Sequence, residues 1–566
     1  MPGDVTLTGA VMAHPKRREA AVRLAGGVLD VVTDPDPGGR PSAFRTSLLA
    51  WSSIPEGATH HVLLHDDMVL SDTFFERATM AAQAMPDAAL ALFAFWNSRN
   101  GAAVRLGALA GARWVRGAGE YTPVAALLLP RRVAEGYVEW ARDRGDTWPD
   151  DVLMGRYLRQ AGVPVYVAVP SLAEHEDLAS LVENDFQGLR RSPCFVADDP
   201  LSGEDRLLGS LAAIPFFKRG VAQCAVPGGS GWRDIRCEDY LDGRGFDVGA
   251  LRARFDGRWW PLWLTAFTMG VVHAGPPRAV DRALGTMGPG GLCHELGSRE
   301  LARLSDELLD VARAGLTAGF AASPQAVERQ TVSVTGADTW LREQVTWALA
   351  DRGYVAAGDP DAVVHVCALG ADPDEEVRLA RAAFSGFGGR KILVGSRGVE
   401  VEDAVVLRLG EPYGPGMPQG GIVADSVLRS SLNRPLRAGG GVGRLVHVRD
   451  VAAAVIAALS RGSGVFDIAG PDPVGGWELA KAVAKAVRPV PIEAAADEAV
   501  CPPDQVESVS DEAVRPEPIE AGFGEAAEAV VSVERAFSEL GWRPEVELDY
   551  GLHTCAQWLA YESDRQ

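Results

Sequence analysis

Short apolar runs recur along the first part of the chain, each bounded by glycine, proline or charged residues. They alternate with stretches in which apolar residues return every three to four positions. Runs at 5–13, 27–33, 61–64, 89–95, 124–129 and 165–169 have strand length, and the stretches between them have the helical period. That alternation predicts an α/β layer arrangement over residues 1–200. Residues 201–325 are poorer in strand patterns and end in a long helical pattern over 298–316, so this middle or linking segment is predicted to be mainly helical. A fresh series of strand and helix patterns begins at Thr331 and defines a third segment, 326–566. A stretch at 493–528, rich in Ala, Glu, Asp and Pro, interrupts it and reads as a loop.

Composition narrows the classes. A chain of 566 residues exceeds what one core can organise. The net charge of −21 argues against nonspecific binding to nucleic acid or to an anionic membrane. Cysteines at 194, 224, 237, 293, 367, 501 and 555 form no Cys-x-x-Cys pair, and their odd number points to reduced thiols. No leader-like segment follows Met1, and the longest apolar stretch, 259–273, is too short to span a membrane. Together these predict a cytoplasmic protein. Trp259, Trp260 and Trp263 read as packing residues.

Candidate chemistry starts where the apolar run from His60 stops on Asp66 and Asp67. Paired acids at the carboxyl edge of a sheet stand where α/β folds bind ligands, and carboxylates there suit a divalent cation and a diphosphate. Side chains alternate along a strand, so one of the two acids faces the ligand and the other braces it. The same acids also suit a plain strand end and helix cap. Asp150 and Asp151 open a helical pattern through Leu158, where the helix dipole favours acids. His14, Lys16 and Arg17 follow the first strand, where a basic loop meets phosphate. Asp34 and Asp36 lie after the second strand in a Pro- and Gly-rich stretch that reads as a nucleoside contact or a surface turn. His175 follows the strand at 165–169, within Pro170-Ser171-Leu172-Ala173-Glu174-His175.

Taken in this order, the strand ending in Asp66-Asp67, the helix opening on Asp150-Asp151 and the segment leading to His175 resemble a GT-A glycosyltransferase of the family 2 type, over about residues 5–195. The resemblance implies the GT-A nucleotide-diphospho-sugar transferase fold, with Asp67 holding Mn²⁺ or Mg²⁺ and His175 completing the metal shell. The motif reads His-Asp-Asp-Met in place of Asp-x-Asp, so Asp66 is the alternative ligand. It further implies Asp151 as catalytic base, with Asp150 second, and a donor nucleotide held by His14, Lys16, Arg17, Asp34 and Asp66. The donor would be a UDP-, GDP- or dTDP-linked sugar. Inversion is favoured, because no second carboxylate is placed for a covalent intermediate. The acceptor is unidentified, and a soluble one is favoured over a lipid-linked one.

From Thr331 the motifs Thr335-Gly336, Tyr413-Gly414, His447-Val448-Arg449-Asp450 and Gly470-Pro471 resemble an extended short-chain dehydrogenase/reductase of the epimerase/dehydratase kind, over about 331–562. This implies a Rossmann-like domain whose active parts are eroded. Only Gly336 remains of the three dinucleotide-binding glycines, with Thr339 and Arg342 in the other places. The Tyr-x-x-x-Lys pair has no counterpart, and 354–363 is too short for the usual second and third strands. The expectation is therefore a catalytically inactive domain without NAD(P), kept for packing, homo-oligomerisation or partner binding. Two alternatives stay open: a bifunctional enzyme that modifies and transfers the sugar, and a non-enzymatic scaffold.

Overall fold

The computed structural model describes residues 4–145, 148–176, 178, 180–181, 185–229, 231–275, 278, 280–325, 328–337, 339–354, 358–396, 398–439, 442–494 and 533–563. They form two compact units, the first Met1–Gln325 together with Ala560–Gln566, the second Ala326–Leu559. No helix among the described residues is long and apolar enough to cross a membrane. All but the first two residues of the loop read at 493–528 lie outside the described residues.

Residues 4–208 of unit 1 carry ten short strands: β1 (Leu7–Ala13), β2 (Asp30–Thr33), β3 (His60–His65), β4 (Met68–Leu70), β5 (Ala89–Ala91), β6 (Trp114–Arg116), β7 (Ala126–Pro130), β8 (Val165–Ala168), β9 (Ala173–His175) and β10 (Leu207–Leu208). Eight of them form one mixed sheet in the order β10-β6-β8-β5-β7-β3-β1-β2. β1 pairs in parallel with both β2 and β3, while β7 runs antiparallel between β3 and β5. β3 is apolar on both faces because both are covered. Leu63 packs into a cluster with Trp51 and Tyr137, whereas Val62 and Leu64 point the other way, into one with Phe74 and Trp114. The remaining two strands, β4 and β9, pair antiparallel with each other.

The middle segment holds the helices Cys237–Gly243, Val248–Arg254, Trp260–Val272, Asp281–Leu284, Met287–Leu292 and Ser298–Phe320 and, besides them, strands that its sequence pattern does not signal. It carries an antiparallel sheet of β11 (Ile214–Lys218), β12 (Val221–Gly228) and β13 (Gly231–Arg236). β11 and β12 are joined by a two-residue turn in which Arg219 (φ 50°) and Gly220 (φ 70°) both adopt left-handed conformations. Such turns match the twist of the flanking strands, but the usual sequence signal is Asn-Gly or Asp-Gly. The segment is also not a linker in packing terms, since Ile214, Leu262, Met269 and Leu308 belong to the same apolar cluster as Leu63 and Leu127. Helices Trp260–Val272 and Ser298–Phe320 approach closely because Gly319 faces the Phe267 carbonyl, where a Cβ would stand 2.1 Å from the oxygen.

A buried ionic cluster fixes the loop before β10 against the sheet. The fully buried Arg77 donates to Glu204 (2.9 Å) and Asp199 (3.0 Å), Arg113 donates to Asp199 (2.6 Å), and Trp114 donates to Glu204 (2.7 Å). Two cations face two anions, the balance a buried network requires.

Unit 2 is a Rossmann-like layer. Its five-stranded parallel sheet runs β14 (Val332–Gly336), β15 (Ala362–Val366), β16 (Arg390–Gly395), β17 (Val405–Leu409) and then the strand Gly464–Ile468. Each strand lies beside its predecessor, so the strand order does not reverse within this sheet. Val364, Ile392, Leu407 and Phe466 form its core with residues of the helices Trp340–Asp351 and Val448–Ala458.

Candidate functional site

In unit 1 the chain leaves β1 toward β2 on one side, while β3 lies on the other side of β1. Loops that diverge in this way open a crevice at the carboxyl ends of the strands, the place where open α/β sheets bind ligands. The loop after β1 carries His14 to Arg17, and the turn after β3 carries Asp66 and Asp67. The two meet there. Arg17 Nη1 lies 3.1 Å from Asp66 Oδ1 and 2.9 Å from Asp67 Oδ2, and the His14 backbone N–H donates to Asp66 Oδ2 (3.4 Å).

His175 joins this group through the small β4–β9 ladder, in which Met68 faces His175. The Glu176 backbone N–H donates to the Asp67 carbonyl (2.8 Å), and His175 Nε2 lies 3.4 Å from Asp67 Oδ2. Burial pushes the His175 imidazole down, against the pull of Asp67, and favours its neutral form. Burial also pushes Asp67 up, but His175, His65 and Arg17 outweigh it and hold the carboxyl below its ordinary value. Arg17 is the permanent cation in contact with Asp67. Asp66 is pushed up, by burial first and by Asp67 second.

Asp67 Oδ1, His175 Nδ1 and His65 Nε2 are buried with no hydrogen-bond partner. Orphaned buried acceptors cost free energy unless something satisfies them, and carboxylate oxygen with imidazole nitrogen suits a divalent cation. The residues present therefore fit one in part. Asp67 and His175 come together, but Asp66 turns to Arg17 and His14, so the expected set of Asp66, Asp67 and His175 does not converge as three ligands among the described residues. Two protein ligands leave room for the oxygens of a diphosphate, the usual manner of binding for a small hard cation.

The other expected acids stand farther along the same edge. The helix Asp150–Gln160 begins with Asp150 buried and Asp151 partly exposed. Asp151 Oδ1 accepts from the Val152 N–H (2.8 Å), and its carbonyl accepts from the Thr122 N–H (3.1 Å). Burial, then Asp150, push the Asp151 carboxyl up to about 7. Aromatic rings bridge toward the first group: the centroids of His175 and Phe95 lie 6.5 Å apart, and those of Phe95 and Tyr121 lie 5.6 Å apart. Asp151 shares no hydrogen bond with Asp66 or Asp67 among the described residues.

Asp34 has a different partner from the one expected. Its carboxylate takes a two-point contact from Arg45 (2.7 and 2.9 Å), which holds it below its ordinary value. Lys16 is exposed, and its backbone N–H donates to His14 Nδ1 (3.1 Å). Gly336 ends β14 in the left-handed region (φ 116°), where a Cβ would stand 2.0 Å from the Val366 carbonyl oxygen. That close approach accounts for this glycine without a cofactor.

Several neighbours escaped the sequence reading. Glu120 accepts from the Arg99 (3.1 Å) and Asn100 (2.7 Å) backbone N–H groups at the start of the helix Arg99–Ala110. Arg99 pairs with Asp234 (2.8 Å) and with Glu562 (3.3 Å), and Tyr561 lies 6.3 Å from Tyr121 between ring centroids. Glu562 and Tyr561 come from the far end of the chain, and no local pattern announces them. His65 offered a local signal, as the last residue of a strand that ends in acids.

No protein-family model and no curated protein matches the chain. Solved structures do, over part of it. UDP-glucose 4-epimerase from Thermotoga maritima, with UDP-glucose, is 17% identical and covers 40% of this chain and 98% of its own, with a TM-score of 0.29. MoeE5 in complex with UDP-glucose and NAD is 18% identical over 40% of this chain and 98% of its own, with a TM-score of 0.31. The Bordetella bronchiseptica enzyme WbmH in complex with NAD⁺ is 16% identical over 41% of this chain and 99% of its own, with a TM-score of 0.29. These likenesses correct the expectation against NAD(P): MoeE5 and WbmH are each in complex with NAD.

Proposed function

We propose that unit 1 is a glycosyltransferase that moves a sugar from a nucleotide diphosphate donor to an acceptor hydroxyl or amine, with inversion and with a divalent cation. The observation that supports this most is the meeting of Arg17, Asp66, Asp67 and His175 at the switch point between β1 and β3, with Asp67 Oδ1 and His175 Nδ1 left unsatisfied. Asp67 and His175 would hold the cation, which when bound supplies positive charge against the diphosphate as the glycosidic bond breaks. Arg17, which now neutralises both acids, is positioned to turn to a donor phosphate. Asp151 takes the proton of the attacking group as the new bond to the anomeric carbon forms, and the electron pair of the broken bond leaves with the diphosphate. A carboxyl pushed up to about 7 is well matched to that task near neutral pH. Unit 2 lacks the Tyr-x-x-x-Lys pair, and we read it as a domain that runs no redox step of its own.

The test is thermal stabilisation of the full chain by UDP-, GDP- and dTDP-linked nucleotides, each with and without Mn²⁺, in the wild type and in Asp67→Ala. A shift of about 2.7 kcal/mol is expected at a hundredfold excess over the dissociation constant. It should require the cation and vanish in the variant. No shift with any nucleotide, with or without cation, overturns the reading in favour of a scaffold.

A further inference from the structure

Unit 2 holds a second group of potential ligands, independent of the site in unit 1. His365 and Cys367 stand two residues apart at the carboxyl end of β15 and therefore face the same side of the sheet. The Cys367 N–H donates to the Val394 carbonyl (2.9 Å), which carries the strand geometry through that position. The helix Pro373–Phe384 covers this side and presents Glu376 to both. One ligand atom from each of the three lies within 4.8 Å of the others.

The surroundings are apolar. Val363, Ala380, Phe384, Leu393, Val399 and Val406 enclose Cys367. His365 and Glu376 are each 4% exposed and Cys367 is 1% exposed. No Lys or Arg pairs with Glu376 among the described residues, and Glu376 Oε2 has no hydrogen-bond partner. A carboxylate buried without a cation is costly. His365 is already oriented: Thr335 Oγ1 lies 3.0 Å from its Nδ1 and 3.4 Å from the Val364 carbonyl. Where the hydroxyl donates to that carbonyl it accepts from Nδ1–H, the tautomer that leaves a lone pair on Nε2, which is buried and has no hydrogen-bond partner. An imidazole held at one nitrogen with the other left bare is the arrangement seen around metal-ligating histidines.

From this geometry we infer that His365, Cys367 and Glu376 bind one Zn²⁺. The donor set of imidazole nitrogen, thiolate sulfur and carboxylate oxygen is the one this borderline-soft ion takes. Charge supports the assignment. Two positive charges meet one thiolate, one carboxylate and a neutral imidazole, so the filled site is neutral, as an apolar cluster requires. Binding breaks the Cys367 S–H bond and forms S–Zn; the proton leaves to solvent and nothing is oxidised or reduced. Ligand atoms around a four-coordinate Zn²⁺ lie about 3.3–3.7 Å apart, so the three side chains draw together on binding.

The test uses the full chain. Protein purified after growth with added zinc is expected to carry about one Zn²⁺ per chain by elemental analysis. Stripped of metal and titrated with Co²⁺, it should show a sulfur-to-cobalt charge-transfer band. Cys367→Ser should abolish the band, and His365→Gln should lose the zinc. Thr335→Val, which keeps all three ligands, should weaken binding by about 10–100-fold. Asp67→Ala, in unit 1, should leave band and stoichiometry unchanged. Absence of the band in wild type, or zinc content equal in wild type and His365→Gln, overturns the assignment. The wild-type Co²⁺ spectrum decides the matter even if the variants fail to fold.

Discussion

His175 Nε2 stands 3.4 Å from Asp67 Oδ2 because Met68 and His175 are cross-strand partners in a ladder of only three residues a side. The main chain thus fixes one acid of the pair against an imidazole that burial favours as neutral, and hands the task of neutralisation to Arg17. Two adjacent carboxylates held by one guanidinium form a site whose charge balance a cation can take over.

Arg17→Ala tests that balance. It leaves Asp66 and Asp67 facing each other without their shared cation, and the chain is expected to lose about 2 kcal/mol of stability. Urea midpoints measure the loss. A divalent cation should restore most of it in the variant and add less to the wild type.

Asp151 sets a pH dependence. Its folded pKa of about 7 lies above the ordinary value, so the unfolded chain gives up this proton first. Its contribution therefore lowers stability progressively as pH rises from about 4 toward 7, and the fall in urea midpoint between pH 5 and pH 7 should be smaller in Asp151→Asn. Turnover goes the other way: as a base the group must be ionised, so kcat/KM should rise with pH through about 7. In Asp151→Asn that limb should vanish, with a rate loss of about 10²–10⁴-fold.

Glu204 anchors the buried ionic cluster. Glu204→Gln leaves Arg77 and Arg113 with Asp199 as their one remaining anion in that cluster, at a cost of about 3–5 kcal/mol. Chemical denaturation should show the drop at neutral pH, and replacing exposed Glu135 in the same way should change little.

Gly336→Ala separates backbone need from ligand need. With φ at 116° and a carbonyl oxygen 2.0 Å from the new Cβ, the substitution should cost about 2 kcal/mol or more whether or not any dinucleotide is present. Gly388→Ala, at a glycine with open space around it, is the control and should be near neutral.

The sequence carried some of this site plainly and hid the rest. Asp66 and Asp67 were legible because an apolar strand ending in acids is a local pattern, and Asp150 and Asp151 because a helix start is one as well. The meeting of Arg17 with the acids was not, since it depends on which strand lies beside β1. The pairing of Met68 with His175 was hidden by the brevity of β4 and β9, too short to show a period. In the middle segment the hairpin of β11 and β12 escaped because Arg219 occupies a turn position usually given to Asn or Asp. The chemistry of His365, Cys367 and Glu376 passed unread, because a strand and a helix had to be folded together before the three became neighbours.

The placement of residues Ala560–Gln566 with unit 1 has a consequence for the order of synthesis. The ribosome makes most of unit 1, then all of unit 2, and only then the segment that gives Arg99 its Glu562 and Tyr121 its Tyr561. Domains generally fold as they emerge, but the first one here waits for a segment made after unit 2 before its contacts are complete. A nascent chain stalled anywhere in unit 2 therefore carries a unit 1 that is nearly finished and not yet closed.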